Sequence, residues 1–181
     1  HGTADTVPLQ ADQFRDIAME FGAEDFVWTS DPVERAKLWK ARHNAYWASR
    51  ALAPQLDGFS TDACVPISRL AECVAETQAD ILEHGLLAPI VGHAGDGNFH
   101  TLLLYDGKDP KEVEKVEAFV ERLVHRAIAM DGTCTGEHGV GQGKAAYMDE
   151  EVGPALDTMR AIKTALDPQN IFNPGKIFPQ D

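Results

Sequence analysis

The sequence predicts an α+β fold, an antiparallel sheet with helices packed over one of its faces. Three observations carry that prediction. Short β-prone stretches are separated by single amphipathic helices. Apolar runs at 86–91 and 101–105 flank Gly92-His-Ala-Gly-Asp-Gly-Asn-Phe-His100, whose Gly/Asp/Asn-rich turn marks a β-hairpin and makes part of the sheet antiparallel. Finally, 181 residues, 44% apolar and 25% charged, suit one globular domain with enough chain for a real core.

Taken in order, residues 11–22 carry Phe14, Ile17, Ala18 and Phe21 at helical spacing and end near Gly22. Asp25-Phe-Val-Trp-Thr29 is short and rich in β-formers, which predicts a strand. Asp31-Pro-Val-Glu34 supplies an N-cap, a proline at the first helical position and a carboxylate in the first turn. The helix it opens runs to about Ala51, with Trp39, Arg42 and Tyr46 at i, i+3 and i+7. Gly58 to Val65 reads as a strand stopped by Pro66. Ile67, Leu70, Cys73, Val74, Ile81 and Leu82 mark a helix that ends at Gly85, before the hairpin. Asp109-Pro-Lys-Glu112 repeats the capping pattern, and the stripe from Val113 to Ile128 behind it keeps helical period throughout. Gly132 to Lys144 is glycine-rich and irregular. Val152, Leu156, Met159, Ile162 and Leu166 mark a last helix, closed by Pro168. Asn170 to Phe178 is apolar without helical period, so it is expected to lie extended on a surface.

Several functional classes drop out. A formal charge of −13 argues against nucleic acid and anionic membrane surfaces as partners. No apolar run approaches the roughly 18 residues of a membrane span. Cys64, Cys73 and Cys134 are far apart and show neither a disulfide framework nor a CxxC spacing, which points to a reduced intracellular compartment. The first residues carry no signal-peptide pattern and no starting Met, as in a processed chain or one cut from something longer. Gly139-Val-Gly-Gln-Gly-Lys144 lacks the spacing of a P-loop, and no GxGxxG follows a strand, so no nucleotide site of its own is expected.

The chemistry gathers on two glycine-lined loops. If Ala94 to Gly97 form the hairpin loop, His93 faces Asn98, and His100 shares their face because side chains alternate along a strand. Diagonal neighbours on one face have Cβ atoms within roughly 7–8 Å, close enough for two imidazoles to close on one ion. Glu137, in Gly136-Glu-His-Gly-Val-Gly141, is the obvious source of a third ligand. Taken singly, each His is more often a surface or capping residue, and this ligand set serves non-haem iron oxygenases as well as zinc hydrolases. It therefore names no reaction by itself. Glu137 and His138 point apart if locally extended, so one can bind metal while the other meets substrate. Arg42 reads first as a snorkelling surface cation, and gains interest only if an anion must be gripped.

These residues also carry a resemblance. Residues 92–100, Cys134-Thr-Gly-Glu-His-Gly-Val-Gly141 and Leu166-Asp-Pro-Gln-Asn-Ile-Phe-Asn-Pro-Gly-Lys176 resemble the C-terminal part of FAD-linked oxidases, in the vanillyl-alcohol-oxidase-like superfamily. Ser60-Thr-Asp-Ala-Cys-Val-Pro-Ile-Ser-Arg-Leu70 resembles the D-lactate dehydrogenase (cytochrome) branch. The resemblance implies a cap or substrate domain over 1–181 with a ferredoxin-like antiparallel sheet, a C-terminal helix and an extended tail. The FAD-binding domain would lie upstream, with the tail at 167–181 docked on it. His1-Gly2 resembles the end of the cap domain's first strand.

By position, the resemblance makes His93, His100 and Glu137 ligands of a divalent metal, zinc or manganese. His138 becomes the base that takes the hydroxyl proton, Arg42 the arginine that binds the substrate carboxylate, and Asn173 a residue packed by the flavin. The implied activity is oxidation of a D-2-hydroxy acid with FAD as hydride acceptor, passing electrons to a cytochrome or quinone. The setting would be cytoplasmic or peripheral to a membrane, mitochondrial in a eukaryote, with room for a homo-oligomer. Relatives acting on D-2-hydroxyglutarate use an added lysine before Asp62 and a polar residue two after the second His. Here 51–60 holds no Lys and that position is Leu102, so a monoacid such as D-lactate fits better than a diacid, with glycolate and other 2-hydroxy acids still open. A flavin-independent metal enzyme and a non-catalytic ferredoxin-like module remain the competing classes.

Overall fold

The structure, a computed structural model, describes residues 2–179. Its elements are α1 (Thr6–Glu20), α2 (Pro32–His43), α3 (Ala45–Arg50), β1 (Asp57–Ser60), β2 (Ala63–Cys64), α4 (Ile67–Glu83), β3 (Ile90–His93), β4 (Asn98–Tyr105), α5 (Pro110–Ala129), α6 (Met148–Val152) and α7 (Ala155–Leu166). Two compact units result, His1–Ala45 and Tyr46–Asp181. No helix among the described residues is long and apolar enough to cross a membrane.

The first unit holds α1 and α2. α1 starts at Thr6, earlier than its apolar spacing suggests, because Pro8 falls in the first turn, where a missing N–H costs nothing. The strand expected at 25–29 does not form. β-prone residues need a neighbouring strand to take up their backbone hydrogen bonds, and here the ring of Phe26 stands 5.7 Å from that of Phe14 instead. α2 is capped as its sequence predicts: Asp31 accepts from the backbone N–H groups of Val33 and Glu34, each at 2.9 Å. The helix expected to run to Ala51 breaks at Asn44, the C-cap of α2, and resumes as α3. The strand end expected at His1-Gly2 falls partly outside the described residues, and Gly2 itself has no regular structure.

In the second unit β4 is the axis of the sheet. β1 and β2 pair with one of its edges in a single register, Ser60 opposite Leu102 and Ala63 opposite Phe99. Between them the Thr61 N–H donates to Thr101 O at 2.9 Å, so 57–64 behaves as the one strand its sequence predicts. β3 pairs with the other edge, with Val91 opposite His100 and His93 opposite Asn98. A lone antiparallel bridge joins Cys64 to Thr133 on the outer side of β2. The connectivity is therefore strand, α4, hairpin, α5 and a final strand cut to one bridge, the ferredoxin-like βαββαβ order.

Alternation gives the sheet two unlike faces. Ala63, Phe99 and Leu103 meet Cys73 and Ile81 of α4 and Val116, Phe119, Leu123 and Ala127 of α5 in the main core. The opposite face carries Leu102 and Leu104, covered by Ala53 and Leu56, and, further along the same strands, Asp62, Asn98 and His100. Helices α4 and α5 thus cover one face, and the other is only partly covered, by Ala53 and Leu56. Towards the C-terminus, Gly153 at φ 50 splits the last helix into α6 and α7. The segment from 167 to 179 has no helix or strand, but it turns rather than running straight, with positive φ at Asn170, Asn173 and Ile177.

Candidate metal centre

The hairpin places the two imidazoles. Its loop, a 3-10 turn over Ala94–Asp96, closes at Gly97 with φ 73, where a Cβ would run into the Val65 carbonyl oxygen. That closure fixes His93 opposite Asn98 and leaves His100 diagonal to it, with ring centroids 5.7 Å apart and planes at 86°. Glu137 arrives from the glycine-rich loop after α5. Its Oε1 stands 3.1 Å from His100 Nε2 and 3.5 Å from His93 Nε2. Ligand-type atoms of all three residues lie within 4.8 Å of one another.

The donor set has one telling feature. His100 Nδ1 lies 3.0 Å from the Thr61 carbonyl oxygen, which can only accept, so Nδ1 carries the proton and donates. Its Nε2 is thereby turned towards the Glu137 carboxylate. A ligating imidazole held through its other nitrogen by a carbonyl is the usual arrangement at metal sites. With His93 Nε2 on the same oxygen, the three residues fit a divalent ion. Glu137 is half exposed, which leaves one side of the group open to a substrate.

Asp62 organises the approach of the loop. It stands opposite His100 on the adjoining strand register, with its side chain fully buried. Oδ1 accepts from Asn98 Nδ2 at 2.8 Å; Oδ2 accepts from the backbone N–H of Glu137 at 2.9 Å, the N–H of His138 at 2.8 Å and the Thr135 hydroxyl at 3.1 Å. Burial acts to raise its pKa, but these donors and the nearby Lys144 ammonium outweigh burial and hold the carboxyl well below the usual carboxylate range. Gly136 has to be glycine, since a Cβ there would collide with the Asn98 amide nitrogen. A second ligand-type group, Asp62, His100 and His138, also exists. It is the poorer metal site, because both Asp62 oxygens already accept hydrogen bonds and His100 Nδ1 is a donor.

His138 meets the same His100 imidazole from its face. Its ring stacks on that of His100 at 5.1 Å and 14°, and it borders a cavity of about 280 Å³ lined also by Phe59, Val120, Leu123 and Lys144. Arg42 lies in the last turn of α2, in the first unit. Asn173 stands exposed in a turn of the tail at φ 45, outside the histidine–glutamate group. So the structure brings together His93, His100 and Glu137, sets His138 against His100, and leaves Asn173 out of the cluster. Sequence reasoning missed Thr61, Asp62 and Lys144. A signal for Asp62 was there: a carboxylate inside a strand read as buried needs several donors, and a glycine-rich loop can supply them.

Comparisons with known proteins bear on the family and the fold. Residues 1–177 match the family model described as FAD linked oxidases, C-terminal domain. The chain is 49% identical over 179 residues to the "Probable D-lactate dehydrogenase, mitochondrial" of Danio rerio, covering 98% of the chain and 36% of that protein. It is 42% identical over 179 residues to the "D-lactate dehydrogenase [cytochrome], mitochondrial" of Arabidopsis thaliana, covering 98% of the chain and 32% of that protein. It thus spans about a third of the length of these curated relatives. Among solved structures, the 4-ethylphenol oxidase of Gulosibacter chungangensis shares the fold, with a TM-score of 0.65 at 19% identity over 99% of this chain and 38% of that one.

Proposed function

The chain belongs to the FAD-linked oxidases by their C-terminal domain, and on that premise we propose that it is the substrate- and metal-binding part of a flavin-dependent D-2-hydroxy acid dehydrogenase that oxidises D-lactate to pyruvate. The names of its relatives support the reaction class. The observation that carries the metal is the His100 ring, oriented by the Thr61 carbonyl so that its Nε2 faces Glu137, with His93 Nε2 directed at the same carboxylate oxygen. His93, His100 and Glu137 would hold the ion, zinc or manganese, and the exposed side of Glu137 would leave room for substrate. When bound, the flavin supplies a hydride acceptor and the metal a Lewis acid that eases loss of the hydroxyl proton.

The chain's own residues do the rest. The Arg42 guanidinium pairs with the substrate carboxylate, a task suited to its planar two-pronged donors. His138 accepts the hydroxyl proton on a ring nitrogen while C2 gives up its hydride, so two electrons and two protons leave lactate in all. Stacking on His100 holds the plane of that ring. Leu102 follows His100 on the same face, buried with Leu104 and Ala53. The ground beside the site is therefore apolar, which suits a short monoacid and offers a second carboxylate no partner. Asn173 is assigned to the flavin side, and the tail to a surface of the FAD-binding domain, where the exposed Ile171 and Phe172 would be covered. A cytochrome is the proposed electron acceptor.

The test uses the flavoprotein that carries this chain, loaded with metal and mixed without oxygen with D-lactate, L-lactate or D-2-hydroxyglutarate. Bleaching of the flavin by D-lactate, with the other two slower, is the expected result. Faster bleaching by the diacid would overturn the substrate, and no bleaching by any of the three would overturn the activity.

A further inference from the structure

The final strand of the sheet stops after one bridge, and the reason lies in a single residue. Continuing the Cys64–Thr133 register would set Thr135 opposite Asp62 and Glu137 opposite Ser60 as an ordinary edge strand. Instead the Asp62 carboxylate takes the Thr135 hydroxyl and then the consecutive N–H groups of Glu137 and His138, all on Oδ2. Successive backbone N–H groups turned onto one anion form a nest, and forming it peels the chain off the sheet edge. At the far end of the same loop, Lys144 Nζ donates to the Asp62 carbonyl oxygen at 2.9 Å and stands 3.7 Å from Oδ2. One residue thus grips both ends of 137–144. Packing has little part in this, since no residue between Cys134 and Ala145 is buried. The loop that carries Glu137 and His138 is held by hydrogen bonds and charge.

We propose that Asp62 and Lys144 are positioning residues that clasp this loop at its two ends, aiming Glu137 at the imidazoles of His93 and His100 and keeping His138 stacked on His100. The proposal rests on the metal-binding reading above, and assigns to the pair the geometry of the centre without placing either residue on the ion. Asp62→Asn keeps the shape but replaces an acceptor with a donor in front of donors. Lys144→Met removes the far clasp and its charge. Thr135→Val removes a single donor from the nest.

The experiment compares these three variants with the parent in the full chain, using Mn²⁺ as the probe. Three quantities are read: Mn²⁺ affinity, the EPR signal of the bound ion, which reports ligand symmetry, and amide exchange by mass spectrometry. The expected result for Asp62→Asn and Lys144→Met is a loss of affinity of about tenfold or more, the size typical when a residue supporting a ligand is removed. An altered EPR signal should accompany it, with faster exchange confined to 134–144. Thr135→Val should move each readout the same way by less, and it carries the comparison with Lys144→Met if Asp62→Asn fails to fold. Parent-like affinity and signal in both Lys144→Met and the folded Asp variant would overturn the proposal. So would faster exchange spread equally over 98–105 and 110–129, which would make the pair a support of the core. If the parent itself takes up no Mn²⁺, the metal reading fails, and exchange at 134–144 still decides whether the clasp exists.

Discussion

At the residue scale, the site depends on what each buried polar atom faces. The nearness of His100 to His93 is legible in the sequence because the hairpin turn fixes their register. The proton on His100 Nδ1 is not, since that depends on a carbonyl 39 residues away. Asp62 is harder still. Periodicity shows which face a side chain takes, but says nothing of backbone donors arriving from 75 and 76 positions along the chain. Its titration gives a direct check. The folded carboxyl is held below its unfolded value, so its contribution to stability is complete above the unfolded pKa of about 4 and is lost as pH falls towards the folded one. Melting of the parent followed from pH 6 to pH 2.5 should therefore show a decline below about pH 4 that is shallower in Asp62→Asn. Equal slopes would mean that the donors around Asp62 do not favour its charged form.

At the scale of elements, α4 and α5 are joined by charge as well as by apolar contact. Asp80, almost fully buried, accepts both Nε and Nη2 of Arg122 and, at 2.9 Å, Nη2 of Arg126; His84 Nδ1 stands 2.9 Å from it. Asp80→Ala leaves the largely buried Arg126 guanidinium with only the exposed Glu76 and the Thr77 hydroxyl, and urea unfolding should show a loss of about 3 kcal/mol, the low end for a broken buried pair. Glu34→Ala, which removes the exposed partner of Lys37, should cost no more than about 1 kcal/mol. Similar costs for the two would show that burial adds nothing to the Asp80 network. Helices are the readable part of this chain because caps and apolar period are local: Asp31 and Asp109 cap α2 and α5 as their sequences predict. The misread elements depend on something distant or small. The stretch at 25–29 has no strand to pair with, and α6 ends at a glycine whose φ of 50 is invisible to apolar spacing.

At the scale of the whole molecule, the chain matches one family along nearly all its length while spanning about a third of its curated relatives. It carries no dinucleotide-binding motif. Expressed alone, it should be colourless and leave D-lactate unoxidised, because hydride transfer needs an acceptor that another part of the protein would bind. Stoichiometric flavin on these 181 residues would contradict that. The face of the sheet not covered by α4 and α5 is where the ligand-type residues gather, beside the small apolar cluster of Ala53, Leu102 and Leu104.

In the proposed centre His93, His100 and Glu137 hold a divalent ion and His138 does not. Metal content of the full chain, after loading with zinc or manganese and exhaustive dialysis, tests this claim most directly. One ion per chain is expected in the parent and in His138→Ala, with little or none in His93→Ala, His100→Ala or Glu137→Ala, since an open three-ligand site holds its ion poorly with two. A His138→Ala protein stripped of metal beside a fully loaded His93→Ala would contradict the claim.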